Sequence, residues 1–277
     1  MFQVATPQRY QLATPLLAQV LVQVRFPLVA HFQNLGGIAS VQDRVRHLFP
    51  YLEQEHVQTI SIVVNGVGGQ PDTTPIWKFT GDDGWTMILE PGAATLFTAD
   101  GYQGYEDFAA KLAIMLDALH STGRVARCDR LGIRFVNIAE PLPGDEKAWL
   151  RWFRSELIGW IGANILTPQT RLGSSITQTQ LVVPTLGETA STPANVQAVI
   201  RHGVLPTGTG IPLEGGIARQ LEQESYVLDM DFFVQAVQRF DTEALLRQLE
   251  AMHAQMDTLF FWSLSDDGKR ELGVAEV

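Results

Sequence analysis

The sequence predicts an α+β fold, built as two tandem β-α-β-β-β-α units whose antiparallel sheet strands are covered by helices on one face. Three observations predict it. Apolar spacing switches repeatedly between period two and period 3.6. Strand-like segments come in runs divided by Gly- and Pro-rich turns. The order of elements then occurs a second time. The first half is expected over residues 1–123 and the second over 124–277, packed as one body.

The first strand is read from residues 19–29, where Val20, Val22, Val24, Phe26 and Leu28 share one face and Gln19, Gln23, Arg25 and Pro27 the other. A break at Gly36–Gly37 precedes Ser40, which with Asp43 resembles a capping box. Val41, Val45, Leu48, Phe49 and Leu52 follow at helical spacing, with Pro50 as the stop. Strands are predicted over 58–65, 75–80 and 85–98, separated by glycine-rich turns. A helix over 104–121 carries Phe108, Leu112, Met115, Leu116 and Leu119 on one stripe.

The second half opens with a strand over 127–139, in which Leu131, Ile133 and Phe135 alternate with Arg130, Gly132 and Arg134. Asp145 is expected to cap a helix bearing Leu150, Phe153 and Leu157. Strands are predicted over 176–183, 195–204 and 225–232. Asp241 is a good N-cap for a last helix carrying Leu245, Leu249, Met252, Met256 and Phe260. The Val24-Arg25-Phe26 and Ile133-Arg134-Phe135 segments resemble each other, which supports an internal duplication. The Pro-, Gly- and Thr-rich stretches 184–194 and 206–222 are expected to be mobile insertions.

Composition narrows the function classes. At 45% hydrophobic and 18% charged over 277 residues, the chain is globular. A net charge of −10 weighs against a broad phosphate-binding face, so nucleic acid is not an expected partner. The lone Cys128 fits a reducing compartment. The first residues lack the basic and continuously apolar character of a signal peptide, and no apolar run nears the ~18 residues of a membrane span. A cytoplasmic protein without membrane association is expected.

The segments Val24 to Pro27, Asp129 to Asn137 and Leu228 to Phe233, with a closing helix that carries His253 and leads into Leu259-Phe260-Phe261, resemble a sporadically distributed prokaryotic family of uncharacterised proteins of similar length. That family usually has Tyr where Phe135 stands here. Its patchy distribution is similar to that of defence-associated and mobile-element genes, which implies an accessory role in such a system.

The residues that could carry recognition are Arg25, Arg130, Arg134, Asp229 and Asp231. Alternation puts the charges of each strand opposite its apolar residues, so the four later ones share a face if both strands bury one core, and Arg25 joins from the duplicated position. They form either a charge ladder on a solvated surface or a polar groove for an anionic or peptide ligand. Asp229-Met230-Asp231 is also a D-x-D sequence, a weak match to Mg²⁺ sites. Asn137 falls on the inward face and needs a backbone partner. Trp149, Trp152 and Trp160 cluster around the third helix and mark either an interface or a packed core. The six histidines show no metal-ligand spacing, Cys128 has no placed base, and 208–216 is not a phosphate loop, so no catalytic residue, metal or cofactor is expected. The reading that results is a non-catalytic binding or regulatory protein with a protein partner or a second copy of itself. The alternative is an enzyme with a sheet-face polar site acting on an anionic small molecule.

Overall fold

The computed structural model describes residues 10–59, 72–163, 165, 167, 170, 172–184, 195–216 and 218–276. It is an α+β protein. In chain order the elements are β1 (Tyr10–Leu12), β2 (Leu17–Arg25), α1 (Leu35–Val45), β3 (Tyr51–Thr59), β4 (Asp72–Thr80), β5 (Trp85–Glu90), β6 (Ala93–Thr98) and α2 (Tyr105–Gly123). Then come β7 (Arg127–Cys128), β8 (Arg130–Ala139), α3 (Trp149–Trp152), α4 (Ser155–Ile158), β9 (Ser175–Pro184), β10 (Asn195–Leu205), β11 (Gly210–Pro212) and β12 (Ala218–Gln220). The chain closes with β13 (Ser225–Val234), β14 (Gln238–Arg239), α5 (Thr242–Ser263), α6 (Asp266–Glu271) and β15 (Val274–Glu276). Nine strands hydrogen-bond in the order β3-β4-β5-β6-β2-β8-β13-β10-β9. The β3–β4, β4–β5, β5–β6, β9–β10 and β10–β13 ladders are antiparallel.

The chain divides into two compact units that each draw on distant segments. Unit 1 is Met1–Val20, Ile133–Val234 and Leu249–Val277; unit 2 is Leu21–Gly132 and Gln235–Gln248. In unit 2 the apolar stripe of α2 is fully buried, and Phe108 stacks on Trp85 of β5 at 5.3 Å. Lys111 lies over the same indole while Asp83 and Asp107 take its charge at 3.1 and 2.5 Å. In unit 1 one sheet face holds Ile133, Phe135, Leu228, Met230 and Phe232, all buried. Tyr226 of β13 stacks on Phe153 at 4.3 Å, and Phe135 meets His253 of α5 edge-on. Asn137 donates from Nδ2 to the Leu228 carbonyl, the backbone partner its inward position requires.

The other face of unit 1 is covered as well. Ile211, Leu213 and Leu221, from the β11–β12 hairpin and its flanks, pack with Ala18, Val136, Ile138 and Val227 into a second apolar cluster. The described residues of the 206–222 stretch, expected as a mobile insertion, thus form a folded cover pinned by Gln19, whose side chain exchanges two hydrogen bonds with the Glu214 backbone. Its glycines and prolines masked three apolar residues spaced for burial.

Several boundaries differ from the sequence reading. Helix α1 begins at Leu35 because Asn34 caps it through Gly37 N–H at 3.0 Å; Ser40 lies inside the helix, bonded to the Gly36 carbonyl. Gly37 is required there, since a Cβ would strike the His31 carbonyl. The strand read over 58–65 is β3, which starts at Tyr51; residues 60–65 lie outside the described ones, as do 185–194 of the other expected insertion. The strand read over 85–98 turns at Pro91-Gly92 into β5 and β6. The single helix expected after Asp145 is broken into α3 and α4. Phe153 is extended there and bridges to Leu264, while Arg154 N–H donates to the Ser263 carbonyl. Asp145 binds Arg151 instead of capping.

Both halves run from a strand through helical turns and further strands to a long helix. The first has β3 to β6 between its helices, the second β9, β10 and β13 with an inserted hairpin. This shared order does not by itself establish duplication.

Candidate functional site

The site grows from four neighbouring strands, β8, β13, β10 and β9, with its residues in unit 1. In the β10–β13 ladder Arg201 stands opposite Asp229, and in the β9–β10 ladder Arg201 stands opposite Gln178. Side chains at paired positions share a face. The result is a polar row running across the strands. Arg134 donates from Nε and NH2 to the two oxygens of Asp229 at 2.7 and 3.0 Å. Arg201 donates from NH1 to Asp229 at 3.3 Å and from Nε to Gln178 at 2.8 Å.

Asp229 is 6% exposed, so the row is anchored on a buried carboxylate while its Arg201 and Gln178 end meets solvent. A carboxylate so placed is tolerable only because two guanidinium groups neutralise it. Burial pulls the Arg134 guanidinium down, but the bond to Asp229 and the charges of Asp229, Asp231 and Glu214 outweigh that and leave it raised. Arg134 is therefore a fixed cation. Asp231 lies two residues along β13 on the same face, within the field of Arg134. The D-x-D sequence presents a carboxylate already bound by arginines, and among the described residues no cluster of His, Cys, Asp or Glu fits a metal ion.

Of the five residues read as a site, the structure joins Arg134 to Asp229 and sets Asp231 beside them in unit 1. Arg25 and Arg130 belong to unit 2, where Arg25 donates from Nε to Gln23 at 2.7 Å. Arg201, Gln178 and Glu214 were missed. The position of Arg201 in the alternating run Val196 to Leu205 put it on one face, but the register that sets it opposite Asp229 depends on the hairpin between β10 and β13.

Cys128 is fully buried, and burial pushes its thiol up to about 11, which makes it a packing residue and not a nucleophile. His202 Nδ1 lies 2.8 Å from the Tyr226 hydroxyl; burial pulls the imidazole down and the phenol up. Trp149 and Trp152 are buried, Trp149 against Tyr226 and Trp152 donating to Glu271 at 2.8 Å, so neither offers a surface, whereas Trp160 is exposed. On α5, His253 Nδ1 stands 3.4 Å from Asp257. Burial holds His253 down to about 4 and lifts Asp257 to about 7, although 39% of the Asp257 side chain still meets solvent.

Comparison with known proteins adds no neighbour: no family model and no curated protein matches the chain. Among the described residues no helix is long and apolar enough to cross a membrane.

Proposed function

We propose that this chain is a non-catalytic binding protein that recognises a carboxylate-bearing partner through the Arg201 end of the polar row. The observation that carries this reading is the state of Arg201. Two of its five N–H donors are spent on Asp229 and Gln178, and 43% of its side chain meets solvent. Guanidinium keeps its proton at biological pH, so it binds and orients but does not shuttle protons. The buried Asp229 and its bidentate Arg134 hold the fork from behind, which lowers the ordering cost of a contact. Gln178, Gln180 and Gln197 extend the same face with neutral amides; Gln180 donates to Gln197 at 3.4 Å.

A cytoplasmic location rests on the lone buried cysteine and the expected reducing compartment. An accessory role in a defence or mobile-element system rests on the family resemblance alone. The enzymatic alternative of a sheet-face site for an anionic small molecule draws on the same arginine row; a separate proton-handling candidate is the His253–Asp257 pair of α5, 3.4 Å apart and on the opposite face of the sheet. A neutral imidazole beside a carboxyl near half-protonation at pH 7 could pass a proton.

Calorimetric titration with a short oligoglutamate peptide tests the binding reading. Wild type should bind, Arg201→Ala should bind about ten-fold more weakly or worse, and Arg25→Ala should be unchanged, since an arginine lost from an interface centre costs ~2 kcal/mol. Equal binding by wild type and Arg201→Ala, or no heat with wild type, would contradict it.

A further inference from the structure

The outer strand β9 lends Gln178 and Gln180 to the polar face, but its outer backbone edge is a further interaction surface that the ligand reading does not use. It ends the strand order, and among the described residues no strand pairs with its outer edge. From Ile176 to Val182 it reads Ile-Thr-Gln-Thr-Gln-Leu-Val, without a charge, a proline or a glycine. Outer strands of folded proteins are ordinarily guarded by lysines, inward charges, prolines or bulges, because unpaired N–H and C=O groups template pairing with another chain. None of these guards occurs in this stretch. Two of its apolar side chains are also left in water: Ile176 is 49% exposed and Val182 56%, while Leu181 is half-buried.

The occupant follows from the symmetry of the strand. Ile176 and Val182 each lie three residues from Thr179, and Gln178 and Gln180 each lie one residue from it. We propose that β9 pairs antiparallel with β9 of a second copy of this chain, about a twofold axis at Thr179. In that register Thr179 faces its own copy, Gln178 faces Gln180 of the other chain, and Ile176 faces Val182. Each exposed apolar side chain gains an apolar neighbour, each glutamine an amide that can both donate and accept, and no like charges meet. An unrelated peptide has no reason to match this order read backwards, whereas an isologous contact between identical chains must. Gln178, Gln180 and Arg201 share a face, so the pairing also sets two polar rows side by side. A strand pair alone covers little area, so the dimer forms and separates with protein concentration.

Thr179→Cys tests both partner and register, using the whole 277-residue chain, whose native Cys128 is buried. Oxidation should link Thr179→Cys into a covalent dimer much faster than Thr177→Cys, because two residues off the axis the paired Cα atoms exceed the ~7 Å reach of a disulfide. Wild type should sediment as a concentration-dependent dimer, and Thr179→Lys, folded by circular dichroism, as a monomer. Equal cross-linking of the two cysteine variants overturns the proposal, as does a wild type that stays monomeric or a folded Thr179→Lys that still dimerises. If Thr179→Lys does not fold, the cross-linking comparison decides alone. Arg201→Ala should leave the cross-link intact, so failure of the ligand reading and failure of this one are distinguishable.

Discussion

The two outer strands, β3 and β9, are comparable in length and exposure but differ in what they show to solvent. β3 carries exposed Glu53, Glu55 and His56, and Glu53 is tied to its neighbour strand by Lys78 at 3.9 Å. β9 has no charge from Ser175 to Pro184 and is tied inward through Gln178 to Arg201 and the buried Asp229. Charge guards the first edge against another chain. The second keeps its charges one strand and more inside, where they anchor the sheet and leave the edge open to pairing. Exposure alone therefore does not tell a guarded edge from an offered one; the position of the charges does.

The largest effect that would break this comparison is at the anchor. Asp229→Ala leaves Arg134 partly buried without its carboxylate, and a buried pair broken on one side costs ~3–5 kcal/mol. Urea unfolding should show that loss, and a midpoint equal to wild type would mean that the row holds nothing. Glu53→Thr with Glu55→Thr strips the guard from β3. If charge is the guard, sedimentation should then show new self-association that is absent when Thr179→Lys is the only change. A double variant with unaltered association would show that β3 is protected by something else.

The sheet that ends in β9 rests on α5, where two groups titrate in opposite senses. His253 is depressed from 6.5 to about 4, so its contribution is full above pH 6.5 and is lost as pH falls through about 4. Asp257 is raised from 3.8 to about 7, so its contribution is full below 3.8 and is lost as pH rises through about 7. The two offset each other in wild type between these limits. Asp257→Asn should make stability rise with pH across that window, and His253→Gln should make it fall. Parallel slopes in the two variants would contradict the opposed shifts. The smallest expected effect is at the guarded edge, where Glu53→Ala should stay within ~0.5 kcal/mol, as exposed pairs do; a larger shift in the urea midpoint would make β3 an anchor too.

Most of the fold was legible where the physical signal is local. Alternation located β2, β8 and β13, strand-like runs between turns located β9 and β10, and Asp241 does cap α5, accepting from Ala244 N–H at 2.9 Å. What failed was set by distant contacts. The helix expected after Asp145 breaks because Phe153 and Arg154 bond to Leu264 and Ser263, more than a hundred residues away, which no periodicity in 145–158 could announce. The site was half legible for the same reason. Arg134 and Asp229 stand out as charges facing away from apolar neighbours, while Arg201 becomes their partner only through register. The cover of Ile211, Leu213 and Leu221 was hidden by turn residues that read as a loop.

Amide hydrogen exchange at low and high protein concentration reads both edges in one sample. The account predicts that amides between Ile176 and Val182 exchange more slowly as concentration rises, because the outward N–H groups of β9 find carbonyls on a second copy. Amides between Tyr51 and His56 should exchange at one rate throughout. If the β9 amides prove as indifferent to concentration as those of β3, the two edges do not differ in the way their charges imply, and the claim that β9 is the offered edge is wrong.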